Sequence, residues 1–180
     1  SAALTEKSEE ISRPAVQIAD PIEEEKVKRA VIGIRDLQLG AAITDIGGGG
    51  LSSAVGETAE RFGCGVAVDL AKVPLKYQGL SPWEIYLSES QERMLLVISA
   101  ENLEKAMAVF EKEDVIATAI GKLIPERRLQ LSYKEELVAD LDMEFMFNPC
   151  TITKVASIEA PKLTEPEFPE PKDLTETLMQ

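Results

Sequence analysis

The chain has 180 residues, of which 44% are apolar, a formal net charge of −13, no histidine and two cysteines, Cys64 and Cys150. That length and composition suit one cored domain with an appendage, and the acid excess excludes nucleic acid or a membrane surface as partner, since both would repel it. The missing histidine removes every Ser-His or Cys-His nucleophile device and the commonest metal ligand, so any chemistry within the chain runs on carboxylates, lysine or a metal. Cys64 and Cys150 form no CxxC and read as small apolar residues. No apolar run approaches the roughly 18 residues of a membrane span. The opening stretch shows no basic-then-apolar leader, and a cytoplasmic location is expected.

Residues 1–16 read as an extended N-terminal segment. "ADPIEEEKVKRAVIGIRD" opens a helix in good order: Asp20 as cap, Pro21 in the first turn, and glutamates facing the positive end of the dipole. Ile22, Val27, Ala30, Val31 and Ile34 fall on one helical face. "AAITDI" (41–46) is a short strand, and after four glycines "LSSAVGETAERF" is helical, with Leu51, Val55, Ala59 and Phe62 in one stripe. "GCGVAVDL" (63–70) is a strand. In "SPWEIYLSE", Ser81 caps a helix, Pro82 takes its first position and Glu84 reaches back to complete a capping box. "RMLLVIS" (93–99) lacks alternation, which predicts a strand covered on both faces. "ENLEKAMAVFEKE" is an amphipathic helix with Leu103, Ala106, Met107 and Phe110 inward. "VIATAIGKLI" (115–124) reads as a strand, and "LQLSY" and "LVADL" follow as a meander.

Strands alternate with helices and then pair locally, which predicts a layered α+β or α/β domain with helices packed on a mixed β-sheet. The expected domain spans residues 17–142. From 143 to 180 prolines recur and charge rises, as in a linker or arm.

Three stretches bear on chemistry. In "TDIGGGGLSSAVG" the glycines do not match a Walker loop, because Leu51 rather than lysine follows Gly50, nor a dinucleotide fingerprint, whose last glycine would fall on Ser52. What remains is a strand ending in Asp45, a flexible turn and a helix N-terminus whose free amides favour anions. Two readings stand: a tight turn that Asp45 merely caps, or an Mg²⁺ held by Asp45 and bridged to a phosphate. In "YLSESQERM" six consecutive polar residues, Ser88 to Arg93, form either a solvated connector or a loop that holds a sugar diol through directional hydrogen bonds. In "RPAVQIADP", Gln17 stands alone in an apolar stretch. Trp83 and Tyr86 read as packing residues.

Together, "AVQIADPIEEEKV", "ITDIGGGGLSSAVGETAERFGCGVAVDLAKVPL" and "SPWEIYLSESQERMLLVI" resemble phosphoribosylformylglycinamidine synthase over roughly Arg13 to Leu141. "SESQERM" is the most specific part. The Asp45-x-Gly47-x-x-Gly50-Leu51 pattern is shared more widely, with enzymes such as aminoimidazole ribonucleotide synthetase. The resemblance implies the α+β C-terminal domain of the first half of a synthetase, in the aminoimidazole ribonucleotide synthetase-like superfamily. It implies an ATP-dependent C–N ligase of purine biosynthesis, in which ATP activates the amide oxygen of formylglycinamide ribonucleotide and ammonia from a glutaminase subunit displaces the phosphate. It also implies a small accessory subunit and the remaining synthetase domains as partners. Carried over by motif, Gln17, Glu89, Ser90 and Gln91 would contact substrate and Asp45 would bind Mg²⁺.

That family's catalytic histidines and ATP-contacting tyrosine and lysine have no counterpart in this sequence, so no catalytic residue is assigned and the chain alone is expected to be an inactive fragment. The four glycines replace a glycine-alanine mixture, which should loosen the turn. The alternative is a non-catalytic ligand-binding or subunit-interaction module.

Overall fold

The computed structural model describes residues 20–159, 162–167, 175 and 178. Residues up to Pro149 belong to one compact unit, and those from Cys150 onward belong to a second. The residues described in the second unit are exposed and almost entirely without regular structure. The expected N-terminal segment 1–16 and Gln17 lie outside the described residues.

In the first unit helix α1 runs Pro21–Asp36, and its start follows the chemistry of its sequence: the Asp20 carboxylate accepts from the amides of Ile22 and Glu23 at 3.1 and 3.2 Å. Strand β1 (Gly40–Asp45), helix α2 (Leu51–Arg61), strand β2 (Gly65–Asp69) and a 3₁₀ turn at Leu70–Lys72 follow. Helix α3 (Pro82–Leu87) begins at the expected capping box, with the Glu84 carboxylate accepting from the Ser81 amide at 2.8 Å and its hydroxyl at 2.6 Å. Strand β3 (Met94–Ile98), helix α4 (Leu103–Lys112), strands β4 (Gly121–Ile124), β5 (Arg128–Tyr133) and β6 (Glu136–Asp142), and a short helix α5 (Met143–Phe147) complete the unit.

The strands form two sheets. A four-stranded mixed sheet has the order β4-β2-β5-β6, with β2 and β5 parallel and the outer pairs antiparallel. Its inward residues, Val66, Val68, Leu129 and Leu131, form one buried cluster with Leu51, Val55 and Ala59 of α2, Ile85 of α3 and Met143 of α5. This is the helix-on-mixed-sheet α+β layer expected from the element order. The second sheet is an antiparallel ribbon of β1 and β3. Beside it Ala30 and Ile34 of α1, Leu39, and Ala106 and Phe110 of α4 form a second cluster.

The ribbon explains the non-alternating run in β3. Leu95 packs on the first cluster while Leu96 and Ile98 pack on the second, so both faces meet apolar partners. None of the five residues is fully buried, and Met94 is exposed.

Two local expectations give way. Only Gly121–Ile124 of the 115–124 stretch is a strand, because the antiparallel partner it pairs with is the four residues Gly65–Val68. And 143–147, assigned to the arm by composition, is helical: Asp142 caps it through the amides of Glu144 and Phe145, and Met143 is wholly buried in the core.

Candidate functional site

Antiparallel pairing decides where the polar stretches meet. β1 ends at Asp45 and β3 begins at Met94, and the two residues are register partners. The ladder runs one bond further, with the Ile46 amide donating to the Arg93 carbonyl at 3.0 Å. The glycine turn leaving β1 and the connector entering β3 therefore occupy the same end of the ribbon.

The turn is shaped by contact as well as by flexibility. Gly50 has φ +61°, and a Cβ placed on it would stand 2.2 Å from the Ser88 carbonyl oxygen, so a side chain is excluded there both by conformation and by the backbone crossing it. The Gly50 amide donates to the Gly47 carbonyl at 3.0 Å. Ser52 and Ser53 at the start of α2 turn their hydroxyls back onto the carbonyls of Gly49 and Gly48, at 2.6 and 2.8 Å.

The two stretches bond to each other across forty residues: the Gly49 amide donates to Glu89 Oε1 at 3.0 Å. Within the connector, Ser88 and Ser90 share a hydroxyl hydrogen bond at 2.9 Å, and Gln91 Nε2 donates to the Glu89 carbonyl at 3.2 Å. The half-buried Arg93 guanidinium reaches back along the loop, Nε donating to the Ser90 carbonyl at 2.9 Å and Nη2 to the Ser88 carbonyl. Burial presses the arginine below its ordinary pKa, and no carboxylate pairs with it among the described residues. Glu92, at φ +55°, accepts from the Asp20 amide at 2.9 Å, which brings the chain three residues beyond Gln17 to the same loop.

Of the site residues expected from sequence, Asp45, Glu89, Ser90 and Gln91 thus lie on adjoining turns at one end of the ribbon. Asp45 is exposed, and its carboxylate accepts no hydrogen bond and joins no ion pair among the described residues. The turn-capping alternative is not what its side chain does. The roles of Glu92 and Arg93 were not readable beforehand: as members of a polar run they carried no sign of which neighbours they would reach.

A free strand-tip carboxylate fits Mg²⁺ in one respect, since that ion commonly takes only one or two protein carboxylates and fills its shell with phosphate oxygens and water. No cluster of three or more acidic, cysteine or histidine side chains able to hold a metal occurs among the described residues, so among them Asp45 would serve as a lone ligand and not as part of a cage. Two shallow hollows lie elsewhere, one of about 330 Å³ beside Met107 and Phe110 and one of about 470 Å³ on the outer face of the four-stranded sheet beside Lys72, Lys122 and Gln130.

Helices packed on a mixed sheet, with a strand tip and a polar connector joined at one end of a second ribbon, are the α+β class that these features define. Residues 1–134 match the family model described as AIR synthase related protein, C-terminal domain, and the chain belongs to that family. It is 35% identical over 151 residues to phosphoribosylformylglycinamidine synthase subunit PurL of Methanobrevibacter smithii, covering 84% of this chain and 21% of that protein. To the same subunit of Methanopyrus kandleri it is 34% identical over 178 residues, covering 98% and 25%. The chain therefore spans a quarter or less of these relatives' length. The fold matches T. maritima PurL complexed with FGAR at a TM-score of 0.72 and 27% identity, over 84% of this chain and 25% of that one. The same protein complexed with ATP, and in the assembly PurLQS, matches at 0.70 and 0.71.

Proposed function

We propose that this chain forms one wall of the active site of a phosphoribosylformylglycinamidine synthase. In this reading Asp45 holds Mg²⁺, while Glu89, Ser90 and Gln91, with Gln17, hold formylglycinamide ribonucleotide. The observation that carries it is the hydrogen bond from the Gly49 amide to Glu89, which binds the turn after Asp45 to the connector. A metal-bound phosphate and a polar substrate can then meet over one surface. The bound Mg²⁺ would supply charge neutralisation at phosphate oxygens.

The connector's chemistry suits the ligand. Hydroxyl, amide and carboxylate groups in sequence can donate to and accept from a ribose diol and an amide. The greater length of the relatives, of which this chain spans a quarter or less, supports a cleft completed by other synthetase domains, with ATP bound largely there. The ammonia comes from a glutaminase subunit, held with a small accessory subunit in the cytoplasm. The reaction is an ATP-dependent ligation: the substrate amide oxygen takes the γ-phosphoryl group, ammonia adds to the carbon, and phosphate leaves to give the amidine. The 180-residue chain lacks the groups to do this alone, and residues beyond Pro149 serve as an arm toward the rest of the synthetase.

The test is reconstitution. ATP, formylglycinamide ribonucleotide and ammonia added to the isolated chain are expected to yield no amidine, while the complete synthetase yields it and forms it about 100-fold more slowly on Asp45→Asn. Amidine from the isolated chain, or full activity of the Asp45→Asn synthetase, contradicts the reading.

A further inference from the structure

We infer that Arg93 is a positioning residue that clamps the substrate connector, setting where Glu89, Ser90 and Gln91 stand relative to Asp45; the inference rests on the site reading above. Its guanidinium donates to the carbonyls of Ser88 and Ser90, the two that bracket Glu89. Its own carbonyl accepts from Ile46, the residue after Asp45. One residue therefore touches both halves of the site, through its backbone at the strand tip and through its side chain at the loop.

Three further observations support a clamp over a chance contact. The guanidinium is half-buried, and among the described residues no carboxylate pairs with it, the loop carbonyls being the acceptors it is shown to meet. The preceding residue, Glu92, holds the left-handed φ of +55°, uncommon for a side chain of this kind, and its carboxylate anchors the Asp20 amide at 2.9 Å. The loop thus turns sharply just before the clamp and is tied on its outer side as well. Arginine suits this position because its rigid planar fork presents several donors to two acceptors at once, where lysine offers a single compact charge. Arg93 touches no reacting group, and it acts through the backbone it holds.

The experiment uses Arg93→Met and Arg93→Lys in two settings. In the 180-residue chain, amide hydrogen exchange at residues 88–92 is expected to accelerate by about tenfold or more in Arg93→Met, with exchange in β2 and β5 unchanged. In the complete synthetase, Arg93→Met is expected to raise KM for formylglycinamide ribonucleotide by about tenfold while KM for ATP stays within about twofold, and Arg93→Lys is expected to fall between it and the wild type. Unchanged exchange at 88–92, acceleration spread evenly over the sheet, or equal rises in both KM values would overturn the clamp. Asp45→Asn run in parallel separates the two ideas. If it leaves turnover intact the site reading fails, and the exchange result still decides whether Arg93 holds the loop.

Discussion

The Gly49 amide and the Glu89 carboxylate meet at 3.0 Å, and through them the turn after the first strand and the connector before the third behave as one piece. Replacing Glu89 with alanine removes the acceptor and leaves a part-buried amide to weak solvation. Glu89→Ala is expected to lower unfolding free energy by about 1 kcal/mol, and Glu89→Gln by less, because the amide oxygen still accepts. Urea denaturation of the chain followed by circular dichroism measures both. Equal effects would mean the carboxylate does not hold the turn.

The four glycines are not equivalent. A Cβ on Gly50 collides with the Ser88 carbonyl, whereas one on Gly48 meets no atom of the described residues within 4 Å. Gly50→Ala is therefore expected to cost about 2–4 kcal/mol through strain and backbone displacement. Gly48→Ala is expected to be neutral or to stabilise by up to about 1 kcal/mol, by narrowing the unfolded ensemble. Thermal unfolding of the two variants distinguishes them, and similar losses would contradict the close approach.

Much of this architecture was legible in the sequence, and what was legible was local. Asp20 before Pro21, and Ser81 with Glu84, carry their capping chemistry within four residues, and both caps form as the spacing requires. The stripe Leu51, Val55, Ala59 is buried as its period dictates, while Phe62 beyond the helix end stays largely exposed. Pairings across the chain were not legible. No local rule says that Arg93 will turn back on two carbonyls or that Glu92 will reach Asp20. Helix α5 escaped because five residues are too few to display a helical period, and its one decisive residue, Met143, sits in a stretch whose composition resembles a linker.

That missed helix yields its own prediction. Met143 is fully buried among Val66, Leu129 and the α2 stripe. Met143→Ala is expected to destabilise the first unit by about 2–4 kcal/mol, through lost burial and the cavity left behind. Ending the chain at Asp142 should do at least as much harm. Scanning calorimetry of the three chains is the check.

Tyr86 predicts a pH dependence. Its hydroxyl is buried and has no hydrogen-bond partner among the described residues, and desolvation pushes its pKa from 10.0 up to about 12. Because the folded state holds the proton more tightly than the unfolded one, this group's contribution is fully present below pH 10 and is lost as pH rises from there through about 12. Tyr86→Phe is expected to remove that alkaline decline and, by deleting an unpartnered polar atom, to leave neutral-pH stability the same or up to about 1 kcal/mol higher. Urea denaturation at pH 7 and across the alkaline range tests both signs.

The most direct test of the site is a magnesium titration of turnover in the complete synthetase, wild type against Asp45→Asn. Removal of the strand-tip carboxylate is expected to lower kcat about 100-fold and to shift the Mg²⁺ requirement to higher concentration, with the fold intact by circular dichroism. The same turnover and the same magnesium dependence in both proteins would show that Asp45 holds no catalytic metal.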